Sequence, residues 1–207
     1  MGTSLQRLLT FQMSQLITRS HFHRFTASEG IAFGMAPGGV LNTDNLPSWW
    51  DTTKRQEVES FKAQCYSLSG TIMSCLAKCM GLDPDYFKSI HQHKEPGDTL
   101  KMIKYFRMKE RPDSSIPRLA EHTDWGSLTF VFTKSPGLEI RDPNNQWFHV
   151  PIVPDGIVVN IGDAMTLWTD GALRSVLHRV TWDSVPIGQD RYTIGYFINP
   201  NSGNMVA

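Results

Sequence analysis

The pattern of short apolar runs and turn residues after residue 100 restricts the fold more than any other feature of the chain. Short runs rich in Val, Ile, Phe and Thr alternate there with turn signals such as Ser135-Pro136-Gly137 and Asp142-Pro143-Asn144-Asn145. This alternation predicts about eight strands, near 101–108, 118–123, 127–133, 138–141, 147–151, 156–161, 174–181 and 191–198. Many short strands at an even spacing are typical of a sandwich or barrel. We therefore predict a mainly β protein with N-terminal helices, in which a jelly roll brings early and late strands around one cavity.

A helical segment precedes the strands. Apolar residues recur every three or four positions between Thr53 and Met80, which predicts an amphipathic helix. Thr53 with Gln56 resembles a capping box, and Gly81 stands where a helix C-cap belongs. The pattern places three cysteines on the buried face, namely Cys65, Cys75 and Cys79.

A second, short helix is predicted directly afterwards. Asp83 would be its cap and Pro84 its first residue, because proline is favoured at that position. His91 and His93 follow this helix and are predicted to be solvated.

Two histidines and an aspartate form a candidate metal site. If the EHTDW run lies on a strand, His122 and Asp124 point to the same face and Thr123 points away. His178 lies in a distant strand-like run and supplies the third ligand. Two imidazoles and one carboxylate are the ligands expected of a facial Fe(II) site with open coordination positions.

Arg191 and Thr193 repeat the two-apart spacing in the last predicted strand. Their guanidinium and hydroxyl would lie side by side, where they can bind a carboxylate. A metal triad combined with a carboxylate clamp indicates an oxygenase that uses an organic acid as co-substrate.

Each of these residues also has an ordinary structural interpretation. A His-x-Asp triplet can belong to a strand end or turn, His178 can be a satisfied core histidine, and Arg191 can be a surface charge. However, His178 and Arg191 both lie in apolar strand-like runs, where a charge is costly unless it is paired. Their conjunction therefore favours the metal site.

Composition excludes several other classes of function. The 207 residues suffice for one domain with a sizeable core, and 20 basic residues balance 20 acidic ones, so no basic surface points to nucleic acid. No apolar run is long enough to span a membrane. Three cysteines, an odd number, suit a reducing compartment, and we expect a cytoplasmic protein.

Several blocks of the chain resemble the isopenicillin N synthase-like branch of the Fe(II)- and 2-oxoglutarate-dependent oxygenases. The similar blocks are KMIKYF (101–106), EHTDWGSLTFVF (121–132), GLEI (137–140), WFHVPIVPDGIVVNIGD (147–163), LWTDGALRSVLHRV (167–180) and DRYTIGYFINP (190–200). The resemblance implies a domain over 29–207, with a helical part at about 47–95 and a double-stranded β-helix at about 100–200.

The same resemblance assigns roles to single residues. It implies that His122, Asp124 and His178 bind Fe(II) and that Arg191 and Thr193 bind the distal carboxylate of 2-oxoglutarate. Tyr105 matches a tyrosine that donates to that carboxylate. The Asn-x-Gly-Asp turn implies structural support from Asn160 and Asp163.

The implied activity consumes dioxygen and 2-oxoglutarate and hydroxylates, desaturates or cyclises a small, largely apolar metabolite, as in specialised metabolism. One alternative is an oxidase of the same fold that needs no keto acid, and another is a shortened member without turnover, or one that depends on a partner chain. Candidate pocket walls, each of which also fits the core, are Trp125, Phe130, Phe132, Trp168 and Phe197.

Residues 1–28 match no known pattern. They contain arginine, serine and threonine and no acid, a composition that resembles a mitochondrial presequence and gives an alternative location. The similar region begins later than is usual in the family, so a sheet edge is expected to be unpaired. An exposed edge invites a second chain, and we expect a homodimer or heterodimer.

Overall fold

A computed structural model describes residues 28–34, 50–92, 97–110, 117–182 and 187–201. Within these ranges the chain forms nine strands and three helices. The strands are β1 Ser28–Gly34, β2 Thr99–Tyr105, β3 Leu119–His122, β4 Leu128–Thr133, β5 Leu138–Arg141, β6 Trp147–His149, β7 Val158–Ile161, β8 His178–Val180 and β9 Arg191–Ile198. The helices are α1 Thr52–Cys79, α2 Tyr86–Ser89 and α3 Asp163–Trp168. None of the helices in these ranges has the length and apolar character needed to cross a bilayer.

The strands form two antiparallel sheets, as a jelly roll requires. One sheet has five strands in the order β1-β2-β9-β4-β7, and the other has four in the order β3-β8-β5-β6. The chain passes repeatedly between the two sheets, so strands that are distant in sequence become neighbours. All eight predicted strands are confirmed, although most are shorter than predicted.

Strand β1 is absent from the sequence prediction. Its SEGIAFG run contains two glycines, which hide the alternation of apolar and polar residues. It is an edge strand of the five-stranded sheet, where β2 is its neighbour. The two strands pair over the whole length of β1, from Ser28 opposite Tyr105 to Gly34 opposite Thr99. A Cβ atom at Gly30 would lie 3.0 Å from the Met102 carbonyl oxygen, a tight contact that a larger residue could make only if one of the two strands shifted slightly.

Helix α1 covers one face of the five-stranded sheet and builds the core with it. Phe61 of α1 packs edge-on against Phe132 of β4, with ring centroids 5.1 Å apart. The buried line along the helix consists of Val58, Phe61, Lys62, Cys65, Ser69, Met73 and Ala77. The sheet contributes Leu100, Met102, Leu128, Phe130, Phe132, Ile194, Tyr196 and Ile198.

The predicted start of α1 and the burial of two cysteines are wrong. The N-cap is Asp51, whose side chain accepts a hydrogen bond from the Lys54 amide at 2.9 Å, so the box at Thr53 and Gln56 does not form. Cys65 is buried as predicted, but Cys75 and Cys79 are exposed. The buried line runs through positions four apart at its C-terminal end, and each of these cysteines lies two residues beyond one of them, on the opposite side of the helix. Gly81 adopts a left-handed conformation (φ +73°) just after the helix, as its position predicts.

The region after α1 also differs from prediction. Asp83 accepts a hydrogen bond from the Asp85 amide at 2.8 Å, and α2 begins at Tyr86 rather than Pro84. His91 is buried, not solvated. Its Nδ1 lies 2.6 Å from the Phe87 carbonyl oxygen and its Nε2 2.6 Å from Ser127 Oγ, so it links α2 to the segment before β4. His93 lies outside the described residues.

Candidate functional site

The three predicted metal-ligating side chains converge at the end of β3. His122 Nε2 lies 3.9 Å and His178 Nε2 3.8 Å from Asp124 Oδ1. One ligand atom from each residue falls within 4.8 Å of the others. His122 and His178 are cross-strand neighbours of β3 and β8, whereas Asp124 lies two residues beyond the end of β3. The convergence therefore combines strand pairing with the short segment that follows.

Backbone carbonyls orient both imidazoles. His122 Nδ1 lies 2.8 Å from the Ala120 carbonyl oxygen, and His178 Nδ1 lies 3.0 Å from the Val176 carbonyl oxygen. A carbonyl oxygen can only accept, so Nδ1 carries the proton in each ring. Each Nε2 is then left with a lone pair directed toward Asp124, which is the arrangement that metal-ligating histidines use.

Polar neighbours hold the Asp124 carboxylate and its backbone. Asn160 Nδ2 donates to Asp124 Oδ2 at 3.3 Å, and the Asp163 amide donates to the Asp124 carbonyl oxygen at 2.8 Å. Thr123, which points away from the triad as predicted, donates to Asp163 Oδ2 at 2.9 Å. Asn160 and Asp163 therefore contact the segment that carries Asp124, in agreement with their predicted supporting role.

Burial differs among the three triad residues. The side chains of Asp124 and His178 are 5% and 8% exposed, whereas that of His122 is 37% exposed. Solvent, and hence a small molecule, reaches the triad from the His122 side. A set of two imidazoles and one carboxylate fits Fe(II) and leaves coordination positions open for other ligands.

Arg191 and Thr193 lie side by side on β9, and Tyr105 of β2 stands opposite Arg191. Arg191 Nη1 donates to Thr193 Oγ1 at 2.5 Å, and Arg191 Nε donates to the Pro136 carbonyl oxygen at 3.0 Å. The Arg191 guanidinium lies 5.1 Å from the centre of the Tyr105 ring. We call Arg191, Thr193 and Tyr105 the clamp.

Arg191 is a buried cation without an acidic partner in the described part of the chain. It is 1% exposed, and no carboxylate of these residues lies within ion-pair distance. Burial lowers the pKa of Arg191 to about 10, against an opposing effect of Tyr105. Burial also raises the pKa of Tyr105, while the charge of Arg191 opposes that rise. An anion that enters the clamp would neutralise the charge, which fits a ligand with a carboxylate at that end.

Strand β3 and its N-terminal extension connect the clamp to the triad. Arg118, just before β3, lies 5.5 Å from the Tyr105 ring, and His122 lies four residues further along. Four residues of strand span roughly 13 Å. Arg118 is not predicted from the sequence, because no spacing rule relates it to the clamp.

The five residues predicted to form pocket walls lie in different parts of the structure. Phe130 and Phe132 lie in the core with α1, on the face of the sheet away from the clamp. Phe197 alternates with Arg191 and Thr193 and shares their face, where Lys101 Nζ lies 4.6 Å from its ring. Neither tryptophan faces the clamp: Trp168 packs against the core, and Trp125 is 89% exposed to solvent. Of the five, Phe197 alone is placed to line the cavity at the clamp.

Comparison with known proteins agrees with this geometry. The family model described as the 2OG-Fe(II) oxygenase superfamily matches residues 87–200. The chain is 31% identical over 186 residues to proline hydroxylase buaE of Petromyces alliaceus, covering 82% of this chain and 56% of the relative. It is 30% identical over 167 residues to the 2-oxoglutarate-dependent dioxygenase tropC of Talaromyces stipitatus, covering 75% of this chain and 49% of the relative.

A solved structure shows the same fold. The crystal structure of a full-length Neurospora crassa protein in complex with alpha-KG superposes with a TM-score of 0.73 at 28% identity, covering 89% of this chain and 62% of the other. The present chain spans about half the length of the curated relatives that it matches. The family model covers more than half of the chain and includes both the triad and the clamp. This chain therefore belongs to the 2OG-Fe(II) oxygenase superfamily.

Proposed function

We propose that this protein is an Fe(II)- and 2-oxoglutarate-dependent oxygenase that acts on a small, largely apolar metabolite. The observation that carries this proposal is a buried Arg191 with no ion-pair partner among the described residues, in the same jelly roll as a histidine-aspartate triad. In this assignment His122, Asp124 and His178 hold the iron. Arg191, Thr193 and Tyr105 bind the distal carboxylate of 2-oxoglutarate.

The residues of the chain hold and orient the reactants. When bound, iron and 2-oxoglutarate supply the oxidising chemistry: dioxygen is consumed, 2-oxoglutarate becomes succinate and CO2, and a C–H bond of the substrate is oxidised. The Arg191 guanidinium offers its donors to the carboxylate, with the Thr193 hydroxyl beside it. The hydrogen bonds to Ala120 and Val176 hold the imidazoles so that their Nε2 atoms remain available.

Named relatives support the proposed reaction. One similar protein is named as a proline hydroxylase and another as a 2-oxoglutarate-dependent dioxygenase, and a third was crystallised with alpha-KG. Hydroxylation, desaturation and ring closure all follow from oxidation of a C–H bond. We propose a reaction of this group in specialised metabolism, on a substrate that enters past the partly exposed His122.

A spectroscopic titration tests the proposal. Anaerobic addition of Fe(II) and then 2-oxoglutarate should produce a weak visible charge-transfer band, because the keto acid chelates the iron. A family member of known activity serves as the positive control. A folded protein that gives no band under conditions where the control does would contradict the assignment.

The two alternatives differ from the proposal in their use of 2-oxoglutarate. An oxidase that needs no keto acid has no use for a buried cation at the end of the cavity, so Arg191 argues against it. A member without turnover, which binds metal or a partner chain, would also release no succinate. Screening a metabolite collection for substrate-dependent succinate release therefore separates the proposed oxygenase from both alternatives and identifies the substrate class.

A further inference from the structure

A second buried arginine lies beside the clamp. Arg118 is 8% exposed, and its guanidinium lies 4.4 Å from the Trp182 ring centre and 5.5 Å from that of Tyr105. Arg191 lies 5.1 Å from the same Tyr105 ring. Tyr105 is thus in contact distance of two guanidinium groups, which approach it from different sheets of the jelly roll.

Most of the hydrogen-bonding capacity of Arg118 is unused. Its Nη2 donates to the Phe106 carbonyl oxygen, but its buried Nε and Nη1 have no partner among the described residues. Buried N–H groups of a cation normally have partners, since leaving them unsatisfied is costly. Two free N–H groups on one guanidinium are the donors that a carboxylate accepts.

Arg118 also has no ion-pair partner among the described residues. Burial lowers the pKa of Arg118, and Arg118 in turn contributes to the lowered pKa of Arg191. The acidic residue whose charge acts on Arg118 is Asp190, and it is engaged by other groups. One Asp190 oxygen accepts from the Arg107 amide at 2.8 Å, and the other lies 3.5 Å from Lys104 Nζ.

We propose that Arg118 is a second carboxylate-binding residue of the clamp, so that the distal carboxylate of the co-substrate is held by two guanidinium groups. This inference rests on the proposed function. The consequence is selectivity: two cations favour a 2-oxo acid with a second carboxylate over one of equal length without it. Arg118 would then set the preference for a dicarboxylate, while Arg191 and Thr193 hold one end of it in place.

A purely structural role for Arg118 predicts a different result. Its contacts with Phe106 and Trp182 could support the end of the barrel without contacting a ligand. Loss of that support would weaken all 2-oxo acids alike, because every one of them chelates the metal at the other end. Loss of a carboxylate contact would weaken only those that carry a distal carboxylate.

The test compares two ligands in three proteins. Arg118→Gln removes the charge and keeps a hydrogen-bond donor for Phe106, and Arg118→Lys is the matched control that keeps the charge without the planar fork. Each protein, loaded with Fe(II) under anaerobic conditions, is titrated with 2-oxoglutarate and with 2-oxopentanoate, which has the same carbon chain without the distal carboxylate. Thermal unfolding of each variant verifies that it is folded.

We expect Arg118→Gln to raise the dissociation constant of 2-oxoglutarate about tenfold, or roughly 1.4 kcal/mol. The value for 2-oxopentanoate should stay within about twofold, and Arg118→Lys should fall between Arg118→Gln and the parent. Equal weakening of both ligands, or no weakening of either, would overturn the proposal.

Calorimetric titration with 2-oxoglutarate measures the same difference without the charge-transfer band. If the parent gives no band but binds 2-oxoglutarate more tightly than Arg118→Gln does, the proposed function fails and the assignment of Arg118 stands. If the band forms in both proteins with the same half-saturating concentration of 2-oxoglutarate, only the assignment of Arg118 fails. If calorimetry detects no 2-oxoglutarate binding to the parent, both are wrong.

Discussion

Replacing Arg191 by methionine separates the affinity for 2-oxoglutarate from the stability of the fold. Methionine is similar in length and apolar, so it fills a site in which Arg191 is 1% exposed. The change removes the positive charge and the hydrogen bonds to Thr193 and Pro136. It leaves the metal triad untouched, because the triad imidazoles lie on the other sheet.

The structure sets the size of the effect. Burial lowers the pKa of Arg191 from 12.5 to about 10. At about 1.4 kcal/mol per pKa unit, this shift corresponds to roughly 3 kcal/mol by which the ligand-free protein disfavours the charged guanidinium. Removing one partner of a buried charge pair costs about 3–5 kcal/mol. We therefore expect Arg191→Met to weaken 2-oxoglutarate binding by about two to four powers of ten.

Stability should respond in the opposite direction. Without ligand, methionine removes the cost of burying a charge, so the unfolding temperature of Arg191→Met should equal or exceed that of the parent. Adding 2-oxoglutarate to the Fe(II)-loaded proteins, at a concentration that saturates the parent, should raise the unfolding temperature of the parent further and leave that of the Fe(II)-loaded variant nearly unchanged. Fe(II) affinity, measured without keto acid, is the control and should be nearly unchanged. A variant that binds 2-oxoglutarate as tightly as the parent would refute the assignment of the clamp.

Three further predictions concern the triad and the core. His178→Ala should weaken Fe(II) binding itself, measured by equilibrium dialysis; unchanged iron content would exclude His178 as a ligand. Phe61→Ala should lower the free energy of unfolding by about 3–5 kcal/mol in denaturant titrations, because it opens a cavity against Phe132, and a loss below about 1 kcal/mol would contradict that packing. Burial lowers the pKa of His91 in the folded protein below its usual value of 6.5. As the pH falls, His91 is therefore protonated more readily in the unfolded chain, and the folded state loses stability below about pH 6.5. The unfolding temperature should therefore fall more between pH 7 and pH 5 in the parent than in His91→Gln, and equal falls would show that His91 does not titrate in this way.

Sequence reasoning predicted the metal site because its rules are local. The two-apart spacing on a strand predicted that His122 and Asp124 converge, and they do, but β3 ends at His122 and Asp124 lies in the segment that follows. Arg191 and Thr193 follow the same rule within β9. The local rule could not predict the approach of His178, because that approach depends on the pairing of β8 with β3. His178 was predicted as a ligand from its position in an apolar run and from the resemblance to known oxygenases.

The features that sequence reasoning missed depend on contacts between distant segments. Arg118 is buried because it lies against Trp182, and no pattern near Arg118 contains that information. His91 has the appearance of a surface residue after a short helix, yet Ser127 satisfies its Nε2 in the interior. In α1, the periodicity located the buried face correctly near Cys65 but not at the C-terminal end, where Met73 and Ala77 are buried and Cys75 and Cys79 lie on the opposite side.

The division of the site between two sheets has a consequence for how the protein holds together. The triad imidazoles extend from the four-stranded sheet and the clamp from the five-stranded sheet. A ligand that binds the iron at one end and Arg191 at the other therefore acts as a reversible cross-link between the layers. Amide hydrogen exchange in β8 and β9 should slow together when such a ligand binds, although the two strands belong to different sheets. Under the proposed function, the same ligand that takes part in turnover would link the two sheets, and each turnover would make and break that link.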